Sequence, residues 1–160
     1  MIIQFHNSSR GFTILEVLLV IAVIAILSAA GVSYFRSSIV EVAAGSTMKS
    51  FVADIEAARG RAIVGDRGMT WGVRAVPQNM TWEFYATTTR DLSAEVFQTE
   101  THMLPFGVSW LDPSSNPKSI EFAPLTGSAS TTTFVLGYGT TRLQAVVNEN
   151  GAVVVTRVES

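Results

Sequence analysis

The sequence predicts an α+β protein in which one long amino-terminal helix packs against an antiparallel, β-rich carboxyl-terminal domain. Three observations support this prediction. Nineteen residues without a charge separate Glu16 from Arg36, a helical rhythm continues to Val64, and apolar residues recur at every second position from Thr70 onward. Helix first and strands afterwards is an order typical of α+β folds, and the spacing favours six to eight strands.

Composition limits the classes of function. The chain has 160 residues, of which 48% are hydrophobic, so one globular domain of about a hundred residues fits beside an anchor. Its formal charge of −2 gives no general basic field, and we do not expect a nucleic acid partner. The absence of cysteine excludes disulfides and thiolate metal sites.

The charge-free run predicts a transmembrane helix. A helix rises about 1.5 Å per residue, so about twenty residues cross a hydrocarbon core of about 30 Å. Glu16 lies at the head of this run, where a carboxylate is costly in lipid, and a partner for it is therefore expected. The residues predicted to anchor the chain in the bilayer are Val17, Leu18, Leu19, Val20, Ile21, Val23, Ile24, Ile26 and Leu27.

The residues Gly11-Phe12-Thr13-Ile14-Leu15-Glu16, followed by an apolar helix, resemble the class III signal of type IV pilins and type II secretion pseudopilins. The resemblance implies that prepilin peptidase cleaves between Gly11 and Phe12 and that the new amino group of Phe12 is methylated. It also implies that Glu16 of one subunit is neutralised by the Phe12 amine of a neighbour. Two charges that are costly alone in lipid then fix one stacking register.

Charge placement predicts the topology. Arg10 precedes the apolar run, so the leader is expected in the cytoplasm and the later domain outside, in the periplasm, on a single-pass protein of the bacterial inner membrane. An ordinary secretory signal is cleaved after its apolar core and does not fit. A plain signal anchor, with Glu16 reaching to the headgroups, is the alternative. Many pilins carry a proline where this chain reads Ser28-Ala29-Ala30-Gly31-Val32-Ser33.

Four segments follow: a leader at 1–11, a transmembrane and assembly helix at 12–36, its amphipathic continuation at 37–65, and an exported β-rich domain at 66–160. The helix is predicted from Phe12 to Val64, broken or curved near Gly31 and Gly45, and ended by the glycines around 65–68. Arg59 and Arg61 are expected to be solvated or locally paired. The predicted buried face consists of Met48, Phe51, Val52, Ile55, Ala58, Ala62 and Ile63.

Period-two patterns define the β-rich part. Residues 70–75 and 80–85 predict a hairpin with an aromatic face, turning at Pro77-Gln78-Asn79. Two prolines mark 112–117 as a loop. The remaining predicted segments are a weak strand at 95–101, strands at 104–111, 119–122 and 132–138, an interruption at 124–130, and a final hairpin of 142–147 and 152–158 around a turn at 148–151.

Motifs in the β-rich domain indicate which members of the superfamily the chain resembles most. The helix end at Ala58-Arg59, the Trp-bearing hairpin, the Phe-x-Pro-x-x-Gly-like element at 122–127 and the final Asn-x-x-Gly hairpin resemble the H-type minor pseudopilin and its FimT-like pilin relatives (GspH/FimT family). The implied role is that of a minor subunit of a type II secretion pseudopilus or a type IV pilus. The implied partners are other pilin or pseudopilin subunits, prepilin peptidase, the inner-membrane assembly platform and the lipid bilayer. A major pilin is the alternative within the superfamily.

No residues form a catalytic or metal-binding pattern, so neither an enzyme nor a cofactor is expected. His6 lies in the leader and His102 is the other histidine. Two other classes of function are alternatives. The FimT-like resemblance allows a minor pilin that binds DNA for natural transformation, here through Arg142 and Arg157, and the other alternative is a membrane-anchored exported enzyme. The acidic residues expected on the solvated surface are Asp66, Asp91, Glu95, Asp112 and Glu149.

Overall fold

A computed structural model describes residues 12–88 and 96–159 of the chain. The leader at 1–11 therefore lies outside the described residues. The chain divides into two compact units after Ser37, and the second unit contains the hydrophobic core.

The predicted long helix is present as α1, Ile14–Ile63. It runs without interruption through Gly31 and Gly45, so of the predicted alternatives, a broken or a curved helix, the broken one is wrong. A glycine costs a helix only about 1 kcal/mol relative to alanine, which a long helix tolerates. The predicted end is confirmed, because Gly65 has a left-handed backbone with φ 65°.

The described residues of the β-rich part form eight strands in two antiparallel sheets, within the predicted range of six to eight. The first sheet has the order β3-β2-β1-β5 and the second the order β4-β6-β7-β8. The strands are β1 Thr70–Val76, β2 Thr81–Thr87, β3 Val96–Met103, β4 Ser109–Asp112, β5 Lys118–Phe122, β6 Thr132–Tyr138, β7 Thr141–Val147 and β8 Val153–Glu159.

The aromatic hairpin of β1 and β2 is confirmed, with one shift at its turn. Met80 was expected in the strand, but its φ of 54° places it in the turn. The predicted strand at 104–111 is also too long, because only Ser109–Asp112 is β4. Pro105 and the positive φ of Gly107 prevent an earlier start.

The second half of α1 packs its apolar stripe against both sheets. Phe51 is fully buried, and its ring lies 6.0 Å from that of Trp82 in the first sheet. It also lies 5.1 Å from Trp110 and 5.0 Å from Phe134 in the second sheet, measured between ring centroids. One helix side chain thus joins the two sheets. Ile63, predicted in the stripe, is exposed because it is the last residue of the helix.

Candidate assembly site

The first turn of α1 is formed by a helix-capping sequence. Thr13 precedes the helix, and its hydroxyl oxygen accepts a hydrogen bond of 3.3 Å from the backbone N–H of Glu16. Threonine with glutamate three residues later is the spacing of a capping box. A carboxylate in the first turn is also favoured by the positive end of the helix dipole. Glu16 therefore has a local reason for its position besides any role toward a neighbouring subunit.

Apolar side chains surround the helix after this turn. Every large apolar side chain from Phe12 to Leu27 is at least 45% exposed, and Ile14 reaches 82%. Such a continuous apolar surface is typical of a site that is covered by lipid or by another protein. All nine predicted anchor residues are in this segment.

Of the residues predicted for processing and assembly, the structure describes Phe12 and Glu16 but not Gly11. Gly11 lies outside the described residues, whereas Phe12 is exposed directly before the helix. Glu16 is exposed in the first turn. In the described part of the chain, no helix has a stretch that is both long and apolar enough to span a membrane.

Polar contacts hold the second half of α1 to the domain. The Trp82 indole N–H donates a 2.7 Å hydrogen bond to Asp54 Oδ2 on the helix. His102 stacks on the Trp82 ring at 5.0 Å and places Nε2 3.5 Å from the same carboxylate oxygen. The Asp54 carboxylate thus contacts the side chains of two residues on neighbouring strands. The sequence pattern did not predict this cluster, because its three residues are far apart in the chain.

The two helix arginines are placed against the domain. The Arg61 guanidinium lies 4.5 Å from the ring centroid of Trp71 and 4.8 Å from that of Phe84, as in a cation–π contact. The Arg59 side chain passes so close to Gly151 that a Cβ there would lie 2.7 Å from Arg59 Cδ. Arg61 is therefore locally paired, with aromatic rings rather than with carboxylates.

The outer face of the first sheet carries a polar group around Tyr85. The Tyr85 hydroxyl donates a 2.7 Å hydrogen bond to Glu121, and Gly72 in the neighbouring strand leaves room for its ring. Burial raises the pKa of Tyr85, and the Glu121 carboxylate raises it further. On the same sheet the Arg74 guanidinium donates to Glu83 at 2.8 Å. These contacts cover the outer face of the sheet and form no reactive pair.

The described residues contain no group of side chains suited to bind a metal ion, and their two carboxyl-terminal arginines do not share one face. Within 12–88 and 96–159, no three His, Cys, Asp or Glu side chains are grouped as a metal site would need. Arg142 pairs with Val158 and Arg157 with Leu143, so the two arginines lie on opposite faces of the second sheet. Arg157 also forms a 2.7 Å ion pair with Glu41.

The acidic residues are only partly described. Asp112 binds Lys118 at 2.8 Å while remaining partly exposed, and Asp66 and Glu149 lie in the described turns. Asp91 and Glu95 lie outside the described residues.

Comparison with known proteins gives a sequence motif and a fold. The prokaryotic N-terminal methylation motif matches residues 6–32. Two structures of the minor pseudopilin EpsH from the type II secretion system of Vibrio cholerae are 17% identical to the chain. One match covers 71% of this chain and 95% of EpsH with a TM-score of 0.53. The other covers 74% and 96% with a TM-score of 0.55.

The type IV minor pilin FimU of Pseudomonas aeruginosa strain PAO1 is 12% identical, with 72% of this chain and 91% of FimU covered and a TM-score of 0.49. No curated protein matches the chain in sequence. The chain combines the prokaryotic methylation motif with the fold of a minor pseudopilin, and the predicted resemblance to the pilin-like superfamily is confirmed.

Proposed function

We propose that the chain is a minor subunit of a type II secretion pseudopilus or a type IV pilus and supports protein transport across the envelope. The observation that supports this most is the presence of the methylation motif and the minor pseudopilin fold in one chain. Its role is interaction with other subunits rather than catalysis.

Processing comes first in the proposal. Prepilin peptidase removes residues 1–11 by cutting between Gly11 and Phe12, and the amino group of Phe12 is then methylated. The matched motif includes both residues, and Phe12 is exposed where the helix has not yet begun.

Assembly follows from the exposed first half of α1. The Glu16 carboxylate accepts the amine of Phe12 from a neighbouring subunit, which neutralises two charges inside an apolar environment. The apolar side chains from Ile14 to Leu27 are exposed on every side of the helix, so they are free to pack against the helices of several neighbours. The inner-membrane assembly platform would bring these subunits together.

Location follows from the same segments. Before assembly, the helix at 12–36 anchors the subunit in the bacterial inner membrane, with the leader at 1–11 in the cytoplasm. The amphipathic part at 37–65 and the β-rich part at 66–160 form the periplasmic domain. After assembly, the first half of the helix lies in the filament core and the domain is displayed outside.

Replacing the assembly carboxylate tests the proposal. Glu16→Gln keeps the size and polarity of the side chain but removes its charge, so processing and membrane insertion should continue while incorporation into filaments fails. Glu56→Gln is a matched control, because Glu56 is an exposed acid on the same helix. The measurement is the amount of each variant in sheared filament fractions relative to the membrane fraction.

A second variant tests processing. Gly11→Trp should leave a precursor that is eleven residues longer, the length of the proposed leader, and is visible by mass spectrometry of the intact protein. Normal filament incorporation of Glu16→Gln would refute the proposed pairing with Phe12. Normal cleavage of Gly11→Trp would refute the proposed cleavage site.

A further inference from the structure

Exposed apolar side chains are found where α1 enters the domain. Ile39 and Val42 on the helix are 65% and 70% exposed, and Phe106 in the loop between β3 and β4 is 81% exposed. Two contacts show that this loop and β8 lie at the same level of the helix. A Cβ at Gly107 would meet Val40 Cγ1 at 3.2 Å.

The second contact is an ion pair on the other side of the helix. Arg157 Nη1 of β8 donates to Glu41 Oε1 at 2.7 Å. The Glu41 carboxylate is thereby compensated by a charge of the same chain.

The apolar residues lie on different sides of the helix. At 100° per residue, Ile39 and Val42 are about 60° apart and point away from the buried stripe. Phe106 belongs to the loop beside Val40, on the domain side. A flat surface that the helix crosses touches all of its sides, whereas a single docked protein covers one side. In the unassembled subunit, where the neighbouring helices of a filament are absent, this arrangement fits a bilayer surface better than a single protein partner.

A cation lies at the same end. Exposed Arg142 borders a cavity of about 210 Å³ together with Gly107, Ser109, Gly139 and Thr140. A guanidinium beside hydroxyl groups is suited to the phosphate of a lipid headgroup. Basic side chains close to an anionic membrane surface contribute about 1 kcal/mol each to its attraction.

We propose that this end of the domain, called the base and formed by Ile39, Val42, Phe106 and Arg142, rests on the headgroup region of the bilayer in the unassembled subunit. Phe106 lies at the interface, where aromatic rings are enriched in membrane proteins, and Arg142 contacts lipid phosphate. The inference rests on the proposed anchor, because Ile39 follows Arg36 by three residues. The base then limits how the domain is oriented before assembly.

Tryptophan fluorescence tests the base in the full chain. The native residues Trp71, Trp82 and Trp110 are buried, so an added exposed indole can be measured above their emission. Phe106→Trp places an indole in the base. Leu125→Trp is the matched control, because Leu125 is exposed, and its N–H donates to Ala62 O at the other end of the helix.

Both variants are reconstituted in vesicles of phosphatidylglycerol and phosphatidylcholine whose phosphatidylcholine carries bromine near the headgroup end of its acyl chains. About 33 Å of helix separates the levels of Val40 and Ala62, so bromine should quench about half of the added emission at position 106 and almost none at 125. Arg142→Gln in the Phe106→Trp background should reduce this quenching more in the mixed vesicles than in pure phosphatidylcholine, whose phosphate is balanced by the choline cation.

Each result decides one part of the inference. If the protein floats with the vesicles but positions 106 and 125 are quenched equally, the base is refuted while the anchor stands. If the protein does not float with the vesicles, both the anchor and the base are refuted. If Arg142→Gln leaves quenching unchanged in both vesicle types, the phosphate contact is refuted.

Discussion

The two halves of α1 use their apolar residues in opposite ways. In the second half, the apolar stripe that includes Ala44, Phe51 and Ala62 is fully buried against the domain. In the first half, apolar residues occupy all sides of the helix, and every large one from Ile14 to Leu27 is at least 45% exposed. The apolar side chains of the second half are therefore covered by the domain of the same chain, whereas those of the first half can be covered only by lipid or by another protein. One continuous helix thus carries both a buried apolar stripe and an exposed apolar surface.

Truncating an apolar side chain in each half gives the largest expected difference. Phe51→Ala leaves a cavity between the two sheets and should lower the free energy of unfolding of the domain by about 3–5 kcal/mol. Leu18→Ala in the exposed half should change it by less than about 0.5 kcal/mol. Urea unfolding of the full chain in detergent, followed by tryptophan fluorescence, measures both values.

Equal losses from these two variants would show that the halves are not energetically separate. If Phe51→Ala does not fold at all, Phe51→Leu provides the comparison at a smaller cost, because it keeps most of the buried volume.

Removing a hydrogen-bond donor between the helix and the first sheet should have a smaller effect. Trp82→Phe keeps an aromatic ring but leaves Asp54 without the indole N–H, which should lower the free energy of unfolding by about 1–3 kcal/mol. Asp54→Asn is the companion variant, and the double variant should lose less than the sum of the two. Strict additivity would show that the Trp82–Asp54 contact contributes nothing.

The smallest expected effect concerns pH. The pKa of Tyr85 is raised in the folded state, so folding favours the neutral phenol. Its stabilisation is fully present below the unfolded pKa of about 10 and is lost as the pH rises toward the folded value. Tyr85→Phe loses the hydrogen bond to Glu121 and should be about 1 kcal/mol less stable at neutral pH.

The difference between the wild type and Tyr85→Phe should therefore be nearly constant up to about pH 9 and should shrink in the window that begins at the unfolded pKa of about 10 and extends toward the raised folded pKa. Unfolding titrations at several pH values across this window measure it, and the difference cancels the contribution of other ionising groups. A constant difference would contradict the proposed neutral state of Tyr85.

Local patterns predicted most of the elements. The apolar periods identified α1, the β1–β2 hairpin and β6, because a helix face and a strand face each have a fixed repeat. The breaks were less predictable. Met80 adopts a left-handed turn conformation that its apolar side chain does not indicate, and Gly31 does not interrupt a helix that continues on both sides.

Long-range features could not be predicted from local patterns. The division into two sheets depends on β5 pairing with β1, two strands that are separated by three others in the chain. The contact between Arg61 and the Trp71 ring likewise forms only when the helix packs against the first sheet. Of the candidate site, the motif predicts Gly11, Phe12 and Glu16, because these three residues lie within six positions of one another in the sequence. The base was not foreseen, because Phe106 reaches the helix only through the tertiary fold.

The two sheets share no ladder among the eight described strands, so the seam between them consists of side chains around Phe51. A side-chain seam can loosen by degrees, whereas a ladder opens in a cooperative step. Amide hydrogen exchange in a variant truncated at this seam should therefore show that the backbone N–H groups within each sheet stay protected. The contact between the two sheets should therefore loosen before the strands within either sheet separate.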